Sequence, residues 1–383
     1  MGSQPDTEYP YQSVFGTEQG YFLFDGTRYP TGIVTPSLIN PELTWEKSTT
    51  KNLGFDFTFL QNRLTFCADI FERKVTDILI PGGKDYPALI GDDNLPFENA
   101  GVLKTTGFEL QAKWSDKLSN GFAYSVGVAL SDDKAEVLSY PSNPTNKIGD
   151  GVLYKGYTVG DIWGYETGGI LQESDFDGVG PNGKPLYHGA YFKGGQPYPG
   201  YVWYQDLDHD GVITSGLSTV DDPGDKKVIG NNAPRYRYNI TANFQYKGFD
   251  LDLMFQGVGK RDYWLKDVSS YWGGGAGSWE TYNQSWTPER TDAKFPMYGS
   301  GIGSYAQSGY LLDASYIKLK QVILGYTFPK ALIGKVGLEK LRLNIAAYNL
   351  FTLSDVPKYY DSDYLSDAYP PKRTFSVGIQ VGF

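Results

Sequence analysis

Side chains that alternate strictly between apolar and polar, again and again along one chain, leave few folds available. The last eleven residues, Arg373 to Phe383, show the pattern at its clearest. Phe375, Val377, Ile379, Val381 and Phe383 occupy one phase; Thr374, Ser376, Gly378, Gln380 and Gly382 occupy the other. A strand has a side-chain period of two, so these residues form a ribbon with one wholly apolar face and one polar or small face. A transmembrane β-barrel requires such a ribbon, because lipid wets its outer face while water or protein meets the inner one.

The pattern recurs upstream at 53–59, 108–114, 122–130, 238–246, 249–255 and 341–347. In 249–255 the apolar phase holds Phe249, Leu251, Leu253 and Phe255, which directs Asp250 and Asp252 to the lumen. Two segments, 62–74 and 315–328, fit less cleanly. In the second, Val322, Leu324, Tyr326 and Phe328 keep the apolar phase, but Lys318 and Lys320 fall on the same face. The sum is about nine strands of roughly 10 residues, the length a tilted strand needs to cross a bilayer. The expected fold is all-β: an antiparallel transmembrane barrel.

Connection lengths test this independently. Short links at 60–63, 115–120, 246–249 and 329–337 alternate with long ones at 75–101, 135–235, 261–314 and 353–372. Outer-membrane barrels have short periplasmic turns and long extracellular loops, so the long excursions are assigned to the outside. Aromatic residues make up 16% of the chain, enough to furnish the interfacial girdles of a barrel. No apolar run reaches the roughly 18 residues of a helical span. A net charge of −10 argues against a nucleic-acid partner. A single cysteine, Cys67, excludes an intrachain disulfide and reads as a small structural residue. The opening Met-Gly-Ser-Gln-Pro lacks a secretion signal, which reads as a start inside a longer chain.

The sharpest local motif is Asp206-Leu-Asp-His-Asp-Gly211 in the 135–235 loop. Carboxylates at positions 1, 3 and 5, with Gly at 6, match the first half of a calcium loop. Asp206, Asp208 and Asp210 are the candidate Ca2+ ligands. Position 12 is Leu217 in place of a bidentate Glu, so Asp221 or Asp222 is the substitute carboxylate. The alternative is a metal-free Asp/Gly turn. No other cofactor is expected. Trp264, Trp272 and Trp279 stand among Gly and Ser in the 261–314 loop, with Tyr271, Tyr282 and Trp286. Their rings can stack on sugars or peptides, or pack the loop against its neighbours. The two histidines, His188 and His209, have no nucleophile motif around them, and the reading is not an enzyme.

Short motifs in order across 40–383 make the chain resemble the C-terminal part of a SusC/RagA-type TonB-dependent receptor of Bacteroidetes. They include Asn40-Pro-Glu-Leu-Thr-Trp-Glu-Lys47, Asn99-Ala-Gly101, Thr106-Gly-Phe-Glu-Leu110 and Gly160-Asp-Ile-Trp-Gly-Tyr165. Ile229-Gly-Asn231, Pro234-Arg-Tyr236, Asp313-Ala-Ser-Tyr-Ile-Lys-Leu-Lys320, Asn349-Leu-Phe351 and Tyr369-Pro-Pro-Lys-Arg373 follow. The resemblance implies a plugged barrel of about 22 strands, of which this chain holds the C-terminal part. Residues 1–39 read as the remnant of an extracellular loop, and 40–383 as barrel. It further implies import of a glycan or peptide across the cell outer membrane, with a SusD-like surface lipoprotein as lid. TonB would supply energy through a region outside this chain, so the chain alone is not expected to transport. Phe375, Val377, Ile379, Val381 and Phe383 become the outer-membrane assembly signal read by the barrel assembly machinery. A passive porin-like channel and a soluble β-rich glycan-binding module are the competing readings; the soluble module requires its apolar faces to interdigitate.

Overall fold

A computed structural model of the chain describes residues 16–18, 22–24, 27–29, 32–34, 39–82, 95–264, 282–300, 305–356, 360–365 and 371–383. Nine strands form one antiparallel sheet in which every neighbour in space is a neighbour in sequence. They are β1 (Lys47–Phe59), β2 (Leu64–Pro81), β3 (Phe97–Lys117), β4 (Ala123–Ser139), β5 (Arg235–Tyr246), β6 (Phe249–Lys260), β7 (Tyr316–Thr327), β8 (Lys340–Ser354) and β9 (Thr374–Gly382). Residues 16–34 add two small antiparallel pairs, Gly16–Glu18 with Gly32–Val34 and Phe22–Phe24 with Thr27–Tyr29.

The register carries the alternation from strand to strand. Leu343 lies opposite Ile379, Ile345 opposite Val377 and Ala347 opposite Phe375, so apolar residues face the same side. The same side holds Leu53, Phe55, Phe57 and Phe59 of β1, all exposed. Val377 is 76% exposed and Phe383 88%. No second sheet covers this face among the described residues. The buried hydrophobic residues gather instead in and beside the loops, around Tyr165, Val202, Tyr204 and Ile213, and around Val137, Ile148, Tyr154 and Tyr157. An apolar face left bare, with the core beyond its ends, is a lipid-facing wall. It removes the basis for the soluble module. No helix among the described residues is long and apolar enough to cross a membrane.

Two expectations need correction. Several strands are much longer than 10 residues: β2 has 18, β3 has 21 and β4 has 17. The long links shrink accordingly, with β2 ending at Pro81 and β3 starting at Phe97. Lys104, Thr105 and Thr106 pair with Glu136, Ala135 and Lys134 in an upper segment where polar side chains occupy both phases and loop residues pack alongside. Outside lipid the alternation loses its cause, but the hydrogen-bond ladder continues.

The second correction concerns β7. Leu319 lies opposite Phe255 and Gln321 opposite Met254, so Lys320 is the extra residue of a bulge. Beyond it the phase reverses, and Lys318 lies opposite Gln256 on the inner face. On the β8 side the shift is absorbed near Asn349, whose φ is +54°. The two lysines therefore do not share the lipid-facing phase of Val322 and Leu324.

Several motif residues acquire local roles. Asn99 donates to the carbonyls of Thr44 and Asp77, both at 2.8 Å, and accepts the Thr44 N–H at 2.8 Å. It thus pins the segment entering β1 to a bulge in β2, where Asp77 has φ +58°. Asn231 bridges the chain at Val159 and Asp161 to the entry of β5. Arg235 grips Asp132 through two hydrogen bonds, at 2.6 and 2.5 Å, where β5 meets β4.

Candidate functional site

The inner face of the wall is polar and concave. Cys67, Asp69, Glu109, Gln111, Asn239 and Gln256 line a cavity of about 610 Å³. Asp250 and Asp252 lie on this face as expected, Asp250 held by Arg342 and Asp252 by Asn243. Charges on this face meet partners or water, which a lipid-facing position would deny them.

The acidic loop lies in the excursion between β4 and β5. Asp206 Oδ2 accepts the Gly211 N–H at 2.8 Å, Asp208 Oδ1 that of Asp210 at 3.1 Å and Asp210 Oδ1 that of Val212 at 2.8 Å. His209 and Gly211 take positive φ, 62° and 86°, which curls the segment. Carboxylate oxygens of Asp206, Asp208 and Asp210 come within 4.8 Å of one another. Asp206 Oδ1 is buried without a hydrogen-bond partner. Burial raises the Asp206 pKa, but the N–H groups of Gly211, His209 and Asp210 outweigh it and leave it lowered. For Asp208 the Asp210 N–H acts downward, while burial and the charges of Asp210 and Asp225 leave it raised. Carboxylate oxygens are the donor type that hard cations take, and three of them converge here.

Asp222 does not join them. It lies in the 216–224 turn, where its N–H donates to Thr219 Oγ1 at 3.1 Å. The carboxylate that organises the loop is Asp225, fully buried, accepting the N–H groups of Leu207 and Thr214, each at 2.7 Å. No spacing rule pointed to it, because its partners are backbone groups on both sides of the motif.

Of the three candidate tryptophans, Trp272 and Trp279 lie outside the described residues. Trp264 is half-buried in the pair Asp262–Trp264 with Leu311–Asp313. It borders a cleft of about 880 Å³ with Trp163, Tyr305, Asp161 and Lys226. Trp286 is buried and donates from Nε1 to Gln172 Oε1 at 2.9 Å, which makes it a packing residue.

A charged cluster that sequence reasoning missed joins β7 to the loop between β8 and β9. Lys318, 3% exposed, donates to Asp361 at 2.7 and 2.8 Å and to Asp363 at 2.8 Å. Lys320 reaches Asp363 at 3.1 Å. Burial pushes the Asp363 carboxyl up, but Lys318, Tyr316 and Lys320 hold it below its usual value. The readable signal was the pair of lysines breaking the lipid-facing phase.

Lipid-facing strands, a polar inner wall and long loops on one side define the wall of an outer-membrane β-barrel. Residues 9–350 match the family described as TonB dependent receptor-like, beta-barrel, and the chain belongs to that family. It is 27% identical over 402 residues to TonB-dependent receptor P3 of Formosa agariphila, covering 98% of this chain and 38% of that protein. It is 26% identical over 389 residues to TonB-dependent receptor SusC of Bacteroides thetaiotaomicron, covering 97% of this chain and 35% of that protein. A solved structure of the RagAB peptide transporter shares the fold, with a TM-score of 0.72 and 20% identity over 98% of this chain and 39% of that one. The SusC/RagA-type resemblance and the outer-membrane location read from the motifs hold. The chain spans 38% and 35% of the length of these two curated relatives.

Proposed function

We propose that this chain is the C-terminal barrel wall of a receptor that imports a nutrient, with energy delivered through TonB. The observation that carries the reading is the two-sided wall: a bare apolar outer face backed by an inner face of hydrogen-bonded polar side chains. A SusD-like surface lipoprotein acts as the lid over the extracellular loops, and the barrel assembly machinery inserts the wall by reading the β9 face. The substrate is a glycan: Trp163, Trp264 and Tyr305 line one cleft with Asp161, aromatic surface for sugar rings beside an acceptor for hydroxyl groups. The peptide reading draws support from the RagAB likeness in fold alone.

Uptake of labelled oligosaccharides and labelled peptides by cells with and without TonB tests this. Oligosaccharide uptake that depends on both this gene and TonB is expected. Uptake that persists without TonB identifies a passive channel, and uptake confined to peptides removes the glycan assignment.

The acidic loop is proposed as a calcium site of Asp206, Asp208 and Asp210, with affinity on the order of 10⁻⁴–10⁻³ M, the range of extracellular modules. Chelation with EDTA is expected to raise the rate of proteolytic cutting within 206–225 severalfold, and millimolar calcium to reverse it. Equal rates with and without chelator would reduce the loop to a metal-free turn.

A further inference from the structure

We propose that residues 360–365 form a strap latched by Lys318 across one side of the lumen's outer mouth, and that release of the latch governs access to the cavity beneath. The strap is held at three levels. Lys318 and Lys320 grip Asp361 and Asp363 from the inner face of β7. Arg261 Nη1 donates to the Asp363 carbonyl at 3.2 Å, and Tyr263 Oη to that of Leu365 at 2.5 Å. The strap is folded on itself, since Asp361 accepts the N–H of Asp363 through Oδ1 and that of Leu365 through its carbonyl, each at 2.9 Å. Asp363, Arg261 and Tyr316 are at the same time lining residues of the 610 Å³ lumen cavity. The latch is therefore part of the cavity wall.

Two features suit it to release. Its grip is mainly ionic, whereas the apolar contact beneath is small: Ala314, Val356 and Leu365 with Tyr263 and Tyr360. A buried ion pair gains little over well-packed apolar residues, so selection for permanent closure has no reason to retain one. Ser362 Oγ is also buried without a hydrogen-bond partner, a penalty that opening would relieve. Regulation of import rests on the import reading; the opening of the strap does not.

The test uses the protein in native outer-membrane vesicles. Lys318→Met keeps the apolar stem and removes the charge, leaving Asp361 without its cation and Asp363 with Lys320 alone. Amide hydrogen exchange at Asp363 and Leu365 should rise about tenfold or more, while the β8–β9 ladder keeps its protection. Cys67, the single cysteine of the chain, lines the same cavity and is a native reporter. Its modification by a membrane-impermeant maleimide, read by peptide mass, should accelerate severalfold.

Unchanged exchange in an intact barrel would overturn the strap, and faster exchange with unchanged Cys67 labelling would overturn the gate. Should Lys318→Met lose the barrel, Asp361→Asn keeps Asp363 on Lys318 and is expected to give a smaller rise in both readouts. Loss of the barrel in both variants makes the cluster a folding requirement and removes the proposal. If both readouts rise in a protein that imports neither sugar nor peptide, the strap stands and the import reading fails.

Discussion

Val377→Arg should sharply reduce the amount of this protein in the outer membrane. Val377 is central in β9, 76% exposed, and lies opposite Ile345 on the lipid-facing side. An arginine at mid-depth on that face costs about 2–4 kcal/mol, a large fraction of the stability of a folded domain. The matched control is Ser376→Arg, one residue earlier and exposed on the inner face, where water solvates the new charge. Heat-modifiable mobility on gels, which reports the folded barrel, is expected to fall for Val377→Arg and to stay near wild type for Ser376→Arg. Equal loss in both variants would mean that β9 does not distinguish lipid from lumen as its register requires.

The second large effect is expected from a change of very few atoms. Asp225→Asn replaces one carboxylate oxygen with an NH₂ group, which then opposes a backbone N–H. One of the contacts to Leu207 and Thr214 is lost, and a buried donor is left unpaired. The expected cost is about 3 kcal/mol, localised to the 206–225 loop. Limited proteolysis of vesicles should cut this loop on the order of 100-fold faster, with the nine-stranded wall unaffected. Asp222→Asn, in the neighbouring turn, should leave the rate unchanged if Asp225 is the organising carboxylate. A comparable acceleration in both would deny Asp225 that role.

Much of the wall was legible from sequence because lipid imposes a rule that each strand obeys separately. A residue such as Val377 needs no knowledge of its neighbours to be placed: its face follows from Phe375 and Ile379. The rule also marked where it failed. Lys318 on the phase of Val322 was a contradiction in lipid, and the bulge at Lys320 resolves it by turning Lys318 inward. The upper ends of β2, β3 and β4 were not legible, since pairing outside lipid leaves no alternation to read. The convergence of the acidic loop was legible as far as Asp210, where carboxylate spacing is local. Beyond it, sequence offered Asp221 or Asp222 as the next carboxylate, whereas the organising role of Asp225 depends on the Leu207 and Thr214 amides, which only the fold brings to it.

The length of β3 has a consequence for where recognition takes place. Its 21 residues extend about 70 Å along the strand, or about 50 Å of height at 45° tilt, against an apolar band about 25 Å tall. Half of β3 therefore stands clear of the lipid, flanked by the upper ends of β2 and β4, as a stiff, hydrogen-bonded rampart on one side of the wall. It lifts the loop assembly above the headgroups and keeps it from lying down on them. A bulky molecule can approach that platform from the side as well as from above, and charged lipids below contribute little to its binding because salt screens them within about 10 Å.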